Sequence, residues 1–322
     1  MWKYLTGTIL TGSLLYVLKK YFAGGVCKCI ERLDRQVVIV TGASSGIGEA
    51  LAFLLAERGA TIILACRDLT KANEVRAEIL KEFSVPVFVK ELDLNSFHSI
   101  SKFANNINTE FNSVYALVNN AGVFYAPQQL TEDLFDVTFQ TNYLGPFVLT
   151  HLLLKSLTAS PDSRIVNVAS EAHRAINIDQ LMSITRSQTL SRSHISAYAA
   201  SKLALVLFTK HLANKLANTK TLVNAVNPGN CETDIFRHFP FLSNKWLFAL
   251  QWIIRIIVIK HPLEGAQSVL HAILTEDSSS GQYITDCKSD VPSIPCLNEN
   301  VVVQYYDLTC KILKESGRDF CF

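Results

Sequence analysis

Gln36-Val37-Val38-Ile39-Val40-Thr41 runs directly into Gly42-Ala43-Ser44-Ser45-Gly46-Ile47-Gly48, and an amphipathic helix opens there. The β-branched run reads as a strand buried on both faces, which points to a parallel sheet. The three glycines have different duties. Gly42 permits a tight turn, and Gly46 lets the backbone come close to a pyrophosphate at the helix N-terminus. Gly48 lets helix pack closely on strand. Ser44, Ser45 and Ile47 complete the cradle. The spacing is TGxxxGxG rather than GxGxxG, so its weight comes from the strand before it and the helix after it.

Outward from this turn, strand and helix patterns alternate. Strands are expected at 61–65, 85–89, 114–118, 164–168 and 221–226, with a further one at 281–284. Helices are expected at 49–58, 68–83, 96–111 and 131–157, the last capped by Thr131. Another holds Tyr198, within 196–217. Such alternation predicts an α/β fold: one Rossmann-type doubly wound parallel sheet of about seven strands, with helices on both faces. Residues 171–193 read as a polar, irregular loop. Residues 236–259 are strongly apolar and read as a substrate lid or an ordinary core helix. The expected divisions are an anchor at 1–23, a basic linker at 24–35, the main domain at 36–290 and a helical tail at 291–322.

Apolar residues make up 49% of the 322-residue chain and charged ones 18%, enough to bury a core and too apolar for disorder. The net charge of +2 gives no sign of a nucleic-acid surface. The eight cysteines form no CxxC pair and no zinc spacing, so they read as reduced thiols and no metal is expected. Cys27 and Cys29 follow an apolar stretch where lipidation is an alternative to free thiols. That stretch, Trp2 to Leu18, is followed by Lys19, Lys20, Lys28, Arg32 and Arg35. It reads as an uncleaved membrane anchor, short for a span, with the body facing the cytosol. An interfacial helix is the alternative.

The second strand ends Ala65-Cys66-Arg67-Asp68. Cys66 stands where an NAD site usually carries a carboxylate for the ribose. Arg67 suits a 2′-phosphate, which favours NADP(H); the other reading has Asp68 on the ribose. Asp93 follows the third strand and is a candidate for the adenine amino group. Asn119, Ala121 and Gly122, in Asn119-Asn120-Ala121-Gly122, follow the fourth and are candidates to line the cofactor and brace the sheet. Tyr198 and Lys202 are spaced i, i+4 and leave one helix face together. A lysine cation there favours the phenolate and lowers the tyrosine pKa toward working range. His173 and His194 flank this region, and for each a loop position without a role is the simpler reading.

TGASSGIG at 41–48, Asp93, NNAG at 119–122, Asn142, Ser170 and Tyr198-xxx-Lys202 come in one order. Together they resemble the short-chain dehydrogenase/reductases over Gln36 to Thr233. ILACRD at 63–68, VNVASEAH at 166–173, SKLALVLFTKHLA at 201–213, EGAQSVLHAIL at 264–274 and GQYITDCK at 281–288 are similar to the membrane-bound, NADP-preferring retinol dehydrogenase branch. Ala169 departs from that branch, which typically has a second serine there. So do 174–193 and 236–259, the segments that set substrate choice.

The resemblance implies that Tyr198 exchanges a proton with the substrate oxygen while Ser170 polarises it. It also implies that Lys202 assists Tyr198 and holds the nicotinamide ribose, and that Asn142 orders a water beside Lys202. Pro228, Gly229 and Thr233 would close over the nicotinamide, although Thr233 also suits a helix cap. The expected activity is interconversion of a lipophilic alcohol and its aldehyde or ketone, retinol and retinal first. A sterol, an isoprenoid such as farnesol, or a fatty aldehyde are the alternatives, as is a catalytically idle nucleotide-binding membrane protein. The expected location is the endoplasmic reticulum, with lipid droplets or mitochondrial membrane as alternatives. A homodimer through 131–157 and 196–217 is a further expectation of the resemblance.

Overall fold

The computed structural model describes residues 19–20, 22–187, 193–231, 259–275, 279–318 and 320. The strands are β1 (Val37–Thr41), β2 (Thr61–Cys66), β3 (Val87–Glu91), β4 (Ala116–Asn119), β5 (Arg164–Val168), β6 (Leu222–Asn227), β7 (Tyr283–Thr285) and β8 (Lys288–Asp290). They form one eight-stranded sheet in the order β3-β2-β1-β4-β5-β6-β7-β8. All neighbours are parallel except β7 and β8. The antiparallel β8 exceeds the seven strands expected. It exists because Asp286 and Cys287 both take positive φ, 48° and 58°, and reverse the chain in two residues.

The helices are α1 (Gly46–Glu57), α2 (Leu69–Glu82), α3 (Phe97–Glu110), α4 (Gly145–Thr158), α5 (Ile178–Ser187), α6 (His194–Lys215), α7 (Pro262–Leu274) and α8 (Glu299–Glu315). Alternation along the strands divides the core. Val38, Val40, Ile62 and Leu64 bury against α1, α2 and α7. Ile39, Ile63, Leu117 and Ile165 face the opposite way, onto α3, α4, α6 and α8. From Val38 to Thr41 both sides of β1 are buried, which accounts for its unbroken apolar run.

Several boundaries differ from the sequence reading. β3 starts at Val87, two residues late, because Pro86 has no N–H for the ladder; its carbonyl accepts from Ile62 instead. The helix expected from Thr131 begins at Val137, capped by Asp136 Oδ1 on the Phe139 N–H at 2.9 Å. Residues 131–135 are held in a turn, with Leu134 at φ 67°. There the buried Asp133 accepts from the Phe97 N–H at 2.8 Å and Gln140 Nε2 at 2.7 Å, and it pairs with Arg318. Between Val137–Phe139 and α4, residues Gln140–Leu144 form a π turn. The loop expected over 171–193 contains a 3-10 turn, Glu171–Ala175, and α5. α5 is helical because Leu181 and Thr185 share one buried face, where Thr185 Oγ1 meets Tyr305 Oη at 3.0 Å.

α8 packs along α6. Tyr305, Tyr306, Ile312 and Leu313 are buried there, so the segment beyond 290 is part of the core. It lies along α6, one of the two helices expected to meet a second copy, and a homodimer is not shown. Cys310 on α8 is disulfide-bonded, which corrects the reading of eight reduced thiols; sequence spacing carries no sign of the bond. Cysteines 27, 29, 66, 231, 287 and 296 are free. The linker packs on the body: Leu33 is buried, with its N–H bonded to the Arg58 carbonyl. Among the described residues no helix is long and apolar enough to cross a membrane. The anchor expected at 1–23 lies outside the described residues, apart from 19–20 and 22–23.

Candidate active site

A cleft of about 540 Å³ opens at the C-terminal ends of β1, β2, β4, β5 and β6. The strand order reverses between β1 and β4, where open α/β sheets bind ligands. Gly42 and Gly46 have φ of 65° and 60°. A Cβ on Gly42 would stand 2.9 Å from Ala121 Cα, and one on Gly48 2.4 Å from the Gly42 carbonyl oxygen. The turn is therefore closed to side chains from both directions. Thr41 Oγ1 bolts it to the next loop: it donates to the Val118 carbonyl and accepts from the Asn120 and Ala121 N–H groups, both at 3.0 Å.

Gly42, Ser44, Ser45, Ile47, Arg67, Asp93, Ala121, Gly122, Ser170, Tyr198, Lys202, Pro228 and Gly229 all line this cleft. Gly46, Gly48, Asn119 and Asn142 stand behind its wall. Asn119 Nδ2 donates to Asn167 Oδ1 at 2.8 Å and Thr150 Oγ1 at 3.0 Å, so it braces β4 against β5. Thr233 and the 236–259 lid lie outside the described residues.

At the β2 end, Cys66 is buried beneath Ser44, and burial raises its thiol pKa. Arg67 is exposed on the cleft wall. Asp68 Oδ1 accepts from the Lys71 N–H at 3.1 Å and caps α2. Lys71 joins the same wall, a cation the sequence reading missed although it stands three residues past Asp68.

Ser170 stands two residues past β5, at the cap of the Glu171–Ala175 turn, and the Tyr198 hydroxyl pairs with its side chain. Tyr198 also packs edge-on against Phe124, with centroids 4.9 Å apart. Burial pushes the Tyr198 pKa up to about 12, with the Ser170 bond pulling the other way. Lys202 Nζ donates to the Val168 carbonyl at 2.7 Å and lies 5.6 Å from the Tyr198 ring centroid. Burial lowers its pKa to about 8. The expected lowering of the tyrosine by the lysine is thus absent in this state: the cation is turned to a backbone oxygen, and desolvation governs both groups.

Asn142 is in the π turn, which aims its side chain back at the cleft floor. Its Oδ1 accepts from the Val123 N–H at 2.8 Å, and its Nδ2 donates to the Val123 carbonyl at 2.9 Å. A Cβ on Gly122 would lie 3.3 Å from Asn142 Oδ1 and 3.7 Å from Lys202 Nζ, so glycine keeps that corner open. His173 is fully buried. Its Nε2 accepts from the Ser293 N–H at 3.0 Å, so Nδ1 carries the proton and donates to the Ser170 carbonyl at 2.8 Å. Burial lowers its pKa. It is a clasp behind Ser170, a role its sequence context did not announce. His194 stacks on Tyr125 at 4.0 Å.

Residues 36–240 match the family described as short chain dehydrogenase. The chain belongs to that family. This dehydrogenase is 37% identical over 308 residues to human retinol dehydrogenase 12, covering 94% of this chain and 95% of that protein. It is 39% identical over 305 residues to human retinol dehydrogenase 13, covering 92% and 89%. Among solved structures, an uncharacterised protein from Mycobacterium paratuberculosis aligns with a TM-score of 0.71 at 28% identity, covering 93% of this chain and 100% of that one. A short-chain dehydrogenase from Shigella flexneri complexed with NADP aligns at 0.63 and 24% identity, covering 80% and 99%. Family and relatives make the protein an oxidoreductase of the retinol dehydrogenase branch.

Proposed function

We propose that the protein is an NADP(H)-dependent oxidoreductase that interconverts a lipophilic alcohol and its aldehyde, retinol and retinal first, at a membrane surface. The observation that carries the cofactor choice is the end of β2. The one carboxylate there, Asp68, lines the cleft but has Oδ1 engaged in capping α2, while Arg67 and Lys71 present two cations at the same wall. Paired cations suit a 2′-phosphate. The glycine turn suits a pyrophosphate: Gly42 and Gly48 are packed too tightly for side chains, and the turn leads into the N-terminus of α1 at the cleft.

The nicotinamide, when bound, supplies or accepts the hydride. The chain's own groups handle the proton and the geometry. Tyr198 holds its proton firmly at neutral pH, the form needed to protonate a carbonyl oxygen during reduction. Ser170, paired with it, orients that oxygen. Lys202, now bonded to the Val168 carbonyl, would hold a ribose hydroxyl of the bound cofactor. Asn142 and Gly122 keep room for a water beside Lys202. Phe124 and Ile195 give the cleft an apolar side, which suits a hydrocarbon substrate. A membrane location, at the endoplasmic reticulum first, rests on the apolar N-terminal stretch and on the branch.

NADPH consumption by the detergent-solubilised protein with all-trans-retinal tests this, beside an NADH control. Turnover with NADPH that exceeds turnover with NADH supports both parts. Activity confined to a sterol, farnesal or a fatty aldehyde replaces the substrate. Tight NADPH binding with no turnover on any of them favours the idle binder.

A further inference from the structure

Cys27, Cys29 and His271 converge outside the cleft. Their ligand atoms all lie within 4.8 Å of one another. Cys29 Sγ is 3.5 Å from His271 Nδ1, and the Cys27 and Cys29 thiols are hydrogen-bonded to each other. Two sulfurs on a tetrahedral zinc stand roughly 3.8 Å apart, so small rotations suffice. Cys287 stands outside that cluster, its Sγ 3.9 Å from Ser268 Oγ of α7, yet near enough to interact electrostatically with both thiols. It occupies the β7–β8 turn at φ 58°, an uncommon conformation for a side-chain-bearing residue, and its N–H is fixed by Ser268 Oγ of α7 at 3.2 Å. Glu31 Oε2, which acts on Cys29, is buried with no hydrogen-bond partner. A buried carboxylate oxygen near the Cys29 thiol wants a cation. Arg58 is the one opposing positive charge acting on both thiols among the described residues.

We propose that Cys27, Cys29 and His271, with Cys287 as fourth donor, form a structural zinc site that ties the segment before β1 to α7 and the β7–β8 turn. Thiolate and imidazole donors select zinc over magnesium or calcium. Each coordinating thiol gives up its proton to solvent as the metal binds. The segment is already seated for this, since the Cys27 N–H donates to Gln267 Oε1 of α7 at 3.1 Å. About 240 residues separate the two halves of the donor set, so sequence spacing could not reveal it. None of the four residues lines the cleft, so metal and cofactor binding are separable.

The test uses the full-length protein, stripped with a chelator and titrated with cobalt(II) and then zinc. One cobalt per chain with a thiolate charge-transfer band, displaced by zinc, is the expected result. Cys27→Ser/Cys29→Ser should lose the band and Cys296→Ser should keep it. Glu31→Gln should weaken zinc about tenfold. Should the double variant fail to fold, the stripped wild-type chain decides: its Tm should rise with stoichiometric zinc, and no rise overturns the site. Cobalt binding without the band, or with the band intact in the double variant, overturns it. So does a hydroxylamine-labile acyl group on Cys27 or Cys29 in protein isolated from cells.

Discussion

The β1–α1–β2 corner and the Ser170–Tyr198 side meet in one cleft, yet they are held in opposite ways. The corner is built by backbone. Its glycines, its positive φ angles and its β1–β2 ladder lie within residues 37–66, with Thr41 tying the turn to the loop after β4. The other side is built by polar side chains reaching across the fold. His173 clasps Ser170 to Ser293, 120 residues away, and Thr185 meets Tyr305 across the same distance. Arg318 reaches Asp133 over 185 residues. A site can therefore be half local code and half long-range assembly, and the two halves should fail differently.

The sharpest separation is chemical. Tyr198→Phe keeps the ring packed on Phe124 and removes only the hydroxyl. Turnover should fall about 10²- to 10⁴-fold with Tm and NADPH affinity unchanged, read by single-turnover kinetics and fluorescence titration. Gly48→Ala should do the reverse. Its methyl meets the Gly42 carbonyl at 2.4 Å and Asn120 Nδ2 at 2.6 Å, so stability should drop by about 4 kcal/mol in urea unfolding, and cofactor binding with it.

A third measurement isolates the long-range side. His151 is buried, bonded to the Phe147 carbonyl and Tyr306 Oη, and burial lowers its pKa to about 4. Below pH 6.5 the unfolded chain takes up this proton before the folded one. Its stability contribution is complete above 6.5 and is lost as pH falls toward 4, by about 3 kcal/mol. His151→Gln should flatten that part of the urea-unfolding profile. The smallest effect belongs to the exposed rim: Arg67→Ala should cost about 1 kcal/mol, roughly fivefold in NADPH affinity, and leave NADH unaffected.

The same contrast explains what was legible in the sequence. TGASSGIG, the strand periods and the Tyr198-xxx-Lys202 spacing are local signals, and the sheet and cleft arise where they predict. The helix expected over 131–157 starts late because Thr131 looks like a cap, while Asp133 beside it is claimed by Phe97, Gln140 and Arg318 from three other segments. α5 was missed because its polar composition hides the pair Leu181 and Thr185, whose partner Tyr305 belongs to a helix read as a tail. The raised pKa of Tyr198 has the same origin. Spacing shows that a lysine is near, while burial depends on the whole fold.

The reversal at β7–β8 bears on how molecules meet one another. A parallel sheet could otherwise offer a bare edge to any passing chain. Here that margin ends in three exposed residues, Lys288, Ser289 and Asp290, running against the grain of the strands beside them. A foreign strand arriving there finds a short ledge flanked by both signs of charge, a poor template for pairing. At this border the hairpin acts as a selvedge: it finishes the weave so that aggregation has no loose thread to pull.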